Sequence, residues 1–301
     1  MYVVVLVLLL AVGALWGASF LFIRVAVEQW GPVALIEARV LLAGLALWLA
    51  VTVLRRTQPA WRAHGRRYLL LGTLSAAVPF TLIAVAELHL TASLAATLNA
   101  TSPLFTLLIG AARGQERLTL RRLAGVGLGI VGVAVLVGLG PLRPTPTVLF
   151  AVAASLLAAF FYGLGGVYAK RHFADIPPTT VATGQQLAAA AVLLPVTLLA
   201  PPEAVPDFGT TGAVLGLALP CTALGFALFY RLVARSGPTT ALTVTYLVPL
   251  FGLLWGALFL GEPLGPSMLV GLAIVLASLG LITHAPRPRA RRGSDTKQAA
   301  A

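Results

Sequence analysis

Long apolar segments alternate with short polar ones along the whole chain. Each apolar segment is close to the length of a helix that crosses a bilayer, which takes about 20 mostly apolar residues. The polar segments between them leave little chain for a soluble domain. The pattern predicts ten transmembrane helices, at residues 3–25, 32–54, 68–86, 91–112, 122–140, 147–169, 180–200, 211–230, 239–260 and 267–284. The predicted fold class is an all-α integral membrane protein.

Composition narrows the function classes. Of the 301 residues, 59% are hydrophobic and 10% are charged, which is too little polar surface for a soluble globular protein. The single cysteine, Cys221, excludes a disulfide framework and a cysteine-based zinc site. The sequence contains no GxxxxGK[ST] loop for ATP, no HExxH and no GxSxG. We therefore predict a protein that is not an enzyme and that has no cofactor and no metal site.

The net charge of +12 is distributed unevenly. Segments that follow even-numbered spans hold 18 of the 21 Lys and Arg residues, whereas the opposite segments hold only Arg143. The positive-inside rule then places both termini in the cytoplasm of an inner-membrane, multi-pass protein. The charge thus marks membrane orientation, and we predict the lipid bilayer, not nucleic acid, as a partner.

The chain contains an internal repeat. A shift of 146 residues aligns PLFTLLIGAARGQERL (103–118) with PLFGLLWGALFLGEPL (249–264), with nine identities in sixteen positions. Each copy has five predicted spans, an odd number, so the second copy is predicted to be inverted in the membrane. The predicted organisation is one repeat at 1–140, a second at 141–284, and a basic, disordered cytoplasmic tail at 285–301.

Three segments resemble the EamA-type members of the drug/metabolite transporter superfamily, namely residues 14–47, 90–133 and 239–282. The resemblance rests on the Trp16–Gly17 pair, on Arg39, and on a Pro…Gly…Glu-x-Leu…Gly pattern that begins at Pro103 and again at Pro249. It implies two inverted five-helix EamA repeats around a central cavity lined mainly by helices 1, 3, 4, 6, 8 and 9. It also implies transport of small metabolites, often amino acids and frequently outward.

Two charged residues lie inside the second predicted span. A charged side chain at a helix centre costs about 2.5 to 3.5 kcal/mol to insert, so Glu37 and Arg39 need partners or water. Glu37 is our candidate for proton coupling or amine binding, and Arg39 for binding a carboxylate. The alternative is that each pairs within the bundle or extends to the headgroups. Residues two positions apart do not face each other on a helix, so a mutual salt bridge is not expected.

Polar and aromatic residues near the span centres complete the candidate cavity. Asn99 either contacts substrate or bonds a neighbouring helix, and for each aromatic residue the alternative is packing. The candidate substrate-cavity residues are Trp16, Ser19, Phe20, Glu37, Arg39, Phe80, Asn99, Tyr162, Gln185, Phe226, Tyr230 and Tyr246.

Proline and glycine suggest further roles within the spans. Pro103 and Pro249 are related by the repeat, and each is a candidate hinge or static kink. Gly125 and Gly129 have GxxxG spacing, which favours close helix packing within the monomer, with a homodimer seam as the alternative.

Together these features predict a secondary transporter that exports or exchanges a small metabolite, amino-acid-like or similar, across the inner membrane by alternating access. The alternatives are an uncoupled channel or facilitator and a membrane-embedded enzyme.

Overall fold

The computed structural model describes residues 2–116, 118–138, 143, 145–202 and 205–283, except the side chains of 238 and 239. The predicted tail, 285–301, lies outside the described residues. Every regular element in the described part of the chain is helical, which confirms the predicted all-α class.

Ten apolar helices follow one another along the described chain. Nine are long and apolar enough to cross a membrane, and Val244–Leu260, with 17 residues, is a shorter apolar helix. Many of their large apolar side chains face outward, as a lipid-facing surface requires. The helices are α1 (Tyr2–Trp30), α2 (Pro32–Val53), α3 (Trp61–Glu87), α4 (Ala92–Ala112), α5 (Leu120–Gly138), α6 (Pro146–His172), α7 (Pro178–Leu199), α8 (Phe208–Gly237), α9 (Val244–Leu260) and α10 (Pro266–Thr283).

Several helix boundaries differ from the prediction, and in α3 and α8 they differ because polar residues extend an apolar helix. The first turns of α3 carry exposed arginines, so the helix begins at Trp61 rather than at residue 68. Helix α8 continues past the predicted end at residue 230 and includes Arg231 and Arg235. It is interrupted at Gly237, whose φ of 80° and ψ of 163° are not helical.

Contacts between helices recur at the repeat offset of 146 residues. Helix α1 packs against α9 at Gly17, where an added methyl group would lie 2.6 Å from Phe251 Cβ. Helix α6 packs against α4 at Gly163, where it would lie 2.9 Å from the backbone nitrogen of Thr106. Both glycines permit close approach of two helix backbones, so the repeat relates helix contacts as well as residues.

Glycines also permit the close contact between α5 and α10. A methyl group on Gly125 would lie 2.8 Å from Ile282, and one on Gly271 would lie 2.5 Å from Leu136. Gly129 also faces α10, at Ser278. The GxxxG pair therefore packs within the monomer, as the preferred interpretation had it, and this face of α5 is not free for a dimer seam.

Irregular turns interrupt three helices near their centres. Helix α3 has a π-helical segment at Thr73–Ala77, and α8 has one at Leu217–Leu224. Helix α4 is broken between its parts Ala92–Asn99 and Ser102–Ala112. Such interruptions in a membrane helix are tolerated where the backbone lines a cavity, and π-helical turns are frequent at functional sites.

Candidate functional site

A cavity of about 670 Å³ lies between the helices. Among the described residues that line it, the exposed ones lie towards one end. At the end that we call the open end, the lining residues Gln115, Lys170, Leu242 and Thr283 are exposed. At the opposite, closed end the lining residues are buried, and they include Phe20, Ile23, Phe80 and Ile83.

Arg39 provides a cation at the closed end of the cavity. Its side chain is 6% exposed, and its Nε donates a hydrogen bond of 3.0 Å to Thr222 Oγ1. The guanidinium carbon lies 3.7 Å from the centroid of the Phe80 ring, close enough for a cation–π contact. Thr222 Oγ1 in turn donates to the carbonyl of Leu217 at 2.7 Å, which fixes its orientation. The guanidinium is thus held in place by an aromatic ring and by one hydroxyl.

Three polar groups on the cavity wall retain unused hydrogen-bonding capacity. Among the described residues, the two Nη atoms of Arg39 make no hydrogen bond or ion pair with protein. The buried Asn99 Oδ1 also has no partner in this part of the chain, and the buried Ser19 Oγ has only the Cys221 thiol beside it among the described residues. Unpaired buried polar atoms are costly, and a bound solute or water that pairs with them removes that cost.

Aromatic rings form much of the remaining wall. Trp16 meets Phe226 edge-on with a centroid distance of 5.8 Å, and Phe80 meets Tyr162 at 6.0 Å. These pairs join α1 to α8 and α3 to α6 across the cavity. The site therefore combines one fixed cation with a predominantly apolar and aromatic wall, a combination typical of small-molecule sites.

Nine of the twelve candidate cavity residues line this space: Trp16, Ser19, Phe20, Arg39, Phe80, Asn99, Tyr162, Gln185 and Phe226. The two candidate hinge residues, Pro103 and Pro249, line it as well.

The other three candidates lie outside the cavity lining. Glu37 is 5% exposed, and its Oε2 has no partner among the described residues. Tyr230 stacks on Phe226 with a centroid distance of 6.1 Å, beside a small apolar cluster. The hydroxyl of Tyr246 shares a hydrogen bond of 2.6 Å with Thr283. In the present structure these residues support the bundle around the cavity and do not form its surface.

Several lining residues were not among the sequence candidates. Ser75 lies on the π-helical segment of α3, and Cys221 and Thr222 lie on that of α8. The second segment contains Pro220, but hydropathy does not reveal a π-helical turn. Glu116 at the open end was also missed as a lining residue, because it lies between the fourth and fifth predicted spans.

Glu262 forms the main polar contact at the closed end. Its carboxylate accepts hydrogen bonds from the backbone nitrogens of Ala92 at 2.7 Å and Ser93 at 3.0 Å, and from Ser93 Oγ. These donors are the first residues of α4, whose N–H groups have no partner within the helix. The carboxylate therefore caps α4 from the far repeat.

Glu87 lies close to this contact but makes no hydrogen bond. It lies one residue beyond the predicted third span, 68–86, yet it is the last residue of α3 and is 0% exposed. Neither of its carboxyl oxygens has a partner in the described chain.

A second polar contact joins the repeats at the rim of the closed end. Gln29 Nε2 donates to Asp207 Oδ2 at 2.8 Å, and the Asp207 backbone nitrogen donates to Gln29 Oε1 at 3.0 Å. Asp207 also caps α8 by accepting a bond of 2.7 Å from the backbone nitrogen of Thr210. The backbone bond from Thr210 and the side-chain bond from Gln29 hold the pKa of Asp207 below its usual value.

Apolar helices around a largely apolar cavity that holds one buried cation and is open at one end are typical of a membrane transport protein. The model of the EamA-like transporter family matches residues 3–138 and again residues 149–284. The chain belongs to this family, and each repeat matches the same family model.

Curated relatives match the chain over nearly its whole length. A probable terminal-alkyne amino-acid exporter of Streptantibioticus cattleyicolor is 31% identical over 93% of each chain. The uncharacterized inner membrane transporter YedA of Escherichia coli (strain K12) is 28% identical over 91% of this chain and 89% of its own. A probable amino-acid metabolite efflux pump of Salmonella typhimurium is 28% identical over 90% and 92%, respectively.

A solved structure supports the fold. This chain superposes on a crystal structure of another protein with a TM-score of 0.65 and 19% sequence identity. The superposition covers 91% of this chain and 94% of the other. This likeness concerns the fold alone.

Proposed function

We propose that the protein is an inner-membrane carrier that exports a small, amino-acid-like metabolite by alternating access. The observation that carries the proposal is the Arg39 guanidinium, which lies at the closed end of the cavity and whose Nη atoms make no hydrogen bond with the described residues. A planar guanidinium suits bidentate recognition of a carboxylate. The named relatives include an amino-acid exporter and an amino-acid metabolite efflux pump, which agrees with such a substrate.

The remainder of the cavity indicates what else the substrate carries. Trp16, Phe20 and Phe226 offer apolar surface, while Asn99 Oδ1 and Ser19 Oγ offer acceptors for an amine or hydroxyl. Among the described lining residues, the only carboxylate is that of Glu116, at the open end. We therefore propose that a substrate amine is bound by neutral oxygens and ring faces, not by an ion pair.

The open end is proposed to face the cytoplasm. Lys170 and Arg122 line the cavity there, and the neighbouring segments carry the basic residues that the positive-inside rule assigns to the cytoplasm. In this orientation both termini are cytoplasmic, and the cavity can receive a metabolite from inside the cell before export.

Counterflow in proteoliposomes tests the proposal. Vesicles preloaded with unlabelled amino acids should accumulate the matching labelled compound transiently, and decarboxylated analogues should not replace it. A carrier gives saturable counterflow, whereas an uncoupled channel gives single-channel currents and no counterflow. Absence of counterflow for every carboxylate in a broad panel would reject the carrier.

Proton coupling through Glu37 is a second part of the proposal. The residue is buried and its Oε2 is unpaired, so the side chain has no fixed counter-charge among the described residues. Glu37→Ala should remove the dependence of flux on an imposed pH gradient while counterflow without a gradient persists. Unchanged gradient-driven flux would exclude this role.

A further inference from the structure

Helices α4 and α9 approach each other closely at the closed end. A methyl group built on Gly252 of α9 would lie 2.5 Å from the Cβ of Ala96 on α4. One built on Gly256 would collide with Glu262 and with Ser93 Oγ. Small residues at both positions therefore let the two helices meet where the cavity ends.

The repeat-related positions at the open end are separated by the cavity. The shift of 146 relates Gly252 to Thr106 and Ala96 to Leu242, and both counterparts line the cavity. It relates Gly256 to Gly110, where an added methyl group would meet, among the described side chains, Glu116 and no atom of α9 within 4 Å. The same pair of helices is thus closed at one end and open at the other.

The glutamates at the two ends differ in their partners. Glu262 accepts three hydrogen bonds from the start of α4. Its repeat counterpart, Glu116, instead accepts a bond of 3.0 Å from Arg122 Nη1. The position equivalent to Arg122 is Met268, which cannot hold a carboxylate. Glu262 therefore has no competing cation at the equivalent site, whereas Glu116 does.

The backbone donors at the two ends also differ. The positions equivalent to Ala92 and Ser93 are 238 and 239. Residue 238 is proline, which has no backbone N–H, so this end offers one backbone donor where the closed end offers two.

We propose that Glu262 is the latch of the closed end, and that Glu116 takes the equivalent role at residue 239 when the cavity opens the other way. The proposal rests on the alternating access of the proposed function. During this conformational change, Glu262 gives up its hydrogen bonds to the start of α4, and Glu116 gives up its hydrogen bond to Arg122. The missing donor at Pro238 and the competition from Arg122 both weaken the second latch, so the conformation seen here is the resting one.

Thiol labelling from each side of the membrane tests the latch without requiring transport. The background carries Cys221→Ser, and a single reporter is introduced by Ser102→Cys on the cavity wall. A membrane-impermeant maleimide is applied to vesicles of both orientations. A separate Gln115→Cys variant, at an exposed position, identifies the membrane face that carries the open end.

Removal of the Glu262 carboxylate should redirect access to the reporter. We expect Glu262→Ala to raise labelling from the closed end about tenfold, the change that loss of a charge-assisted hydrogen bond produces, and to lower labelling from the open end. The matched variant Glu116→Ala should leave closed-end labelling low. Pro238→Ala, which restores a donor, should lower labelling from the open end severalfold.

Unchanged labelling in a folded, monodisperse Glu262→Ala protein would overturn the latch. If that variant does not fold, Ser93→Ala and Pro238→Ala decide the question. Ser93→Ala should raise labelling from the closed end modestly, and Pro238→Ala should lower labelling from the open end severalfold. No shift in either variant rejects the proposal. Counterflow by the unaltered chain is measured separately. Counterflow without a labelling shift removes the latch alone, and a labelling shift without counterflow removes the carrier alone.

Discussion

The two ends of the cavity are built from equivalent positions of the two repeats, yet one is closed and the other is open. At the closed end Gly252 meets Ala96 and a carboxylate caps α4. At the open end the equivalent residues are Thr106 and Leu242, which are larger and line the cavity. Positions where the copies have diverged therefore coincide with positions where the ends differ. At Gly17 and Gly163, by contrast, equivalent glycines meet equivalent residues in both halves.

The largest expected effect is a difference in transport rate between variants of the cations at the two ends, Arg39 and Lys170. Arg39→Ala should reduce the initial rate of counterflow at least about 30-fold, because loss of a buried charge partner typically costs 2 to 5 kcal/mol. Lys170→Ala, at the exposed rim, should change the rate by no more than about threefold, because an exposed charge interacts weakly.

Arg39→Lys is the control for charge alone. It keeps the cation but loses the planar fork, so an intermediate rate is expected. Equal losses at Arg39 and Lys170 would show that the closed end does not select the substrate.

The next effect tests whether the equivalent contacts are equally important for stability. Gly17→Leu and Gly163→Leu each place a side chain against the backbone of a neighbouring helix. Each should lower stability by about 1 to 3 kcal/mol or more, by similar amounts, in thermal melting of the purified protein in detergent. Gly127→Leu, at an exposed position with nothing within 4 Å, is the matched control and should melt like the parent. A large loss in only one half would contradict equivalent packing.

The sequence predicts the helices and the repeat because both depend on long, redundant patterns. A span of some 20 apolar residues stays recognisable when its ends are uncertain, so the polar extension of α3 to Trp61 shifts a boundary without changing the fold. The aromatic and polar residues on the helices named by the family resemblance line the cavity in most cases, Trp16 and Asn99 among them.

The sequence could not predict which face of a helix meets the cavity. Tyr230 and Phe226 lie one turn apart on α8, but only Phe226 lines the space. Rotation of a helix is set by its neighbours, here through irregular π-helical turns that have no hydropathy signal. Glu87 illustrates the same limit, because a carboxylate beside a short turn predicts solvent, whereas packing by adjacent helices buries it fully.

A smaller effect contrasts the two carboxyl groups near the closed end. Glu87→Gln should leave the melting temperature unchanged or raise it slightly, because a buried carboxyl with no partner gains little from a negative charge. Glu262→Gln should lower it, because its carboxylate accepts three bonds. Thermal melting of both variants at neutral pH compares them directly. A drop at Glu87 as large as that at Glu262 would show that the negative charge of Glu87 stabilises the fold without a hydrogen bond.

The smallest effect concerns Asp207, which accepts a hydrogen bond from Gln29 at the rim of the closed end. The equivalent residue of the first repeat is Trp61, which cannot make this contact. The pKa of Asp207 is lower in the folded protein than in the unfolded chain, so its carboxylate stabilises the fold above the usual aspartate value of about 3.9. That stabilisation is lost as the pH falls through the lower, folded pKa. Melting temperatures measured from neutral pH downward should therefore show an acid-side decline that Asp207→Asn reduces, together with a slightly lower plateau at neutral pH. A matched decline in both proteins would mean that other carboxylates govern acid stability, and that the Gln29–Asp207 contact adds nothing to the difference between the two ends.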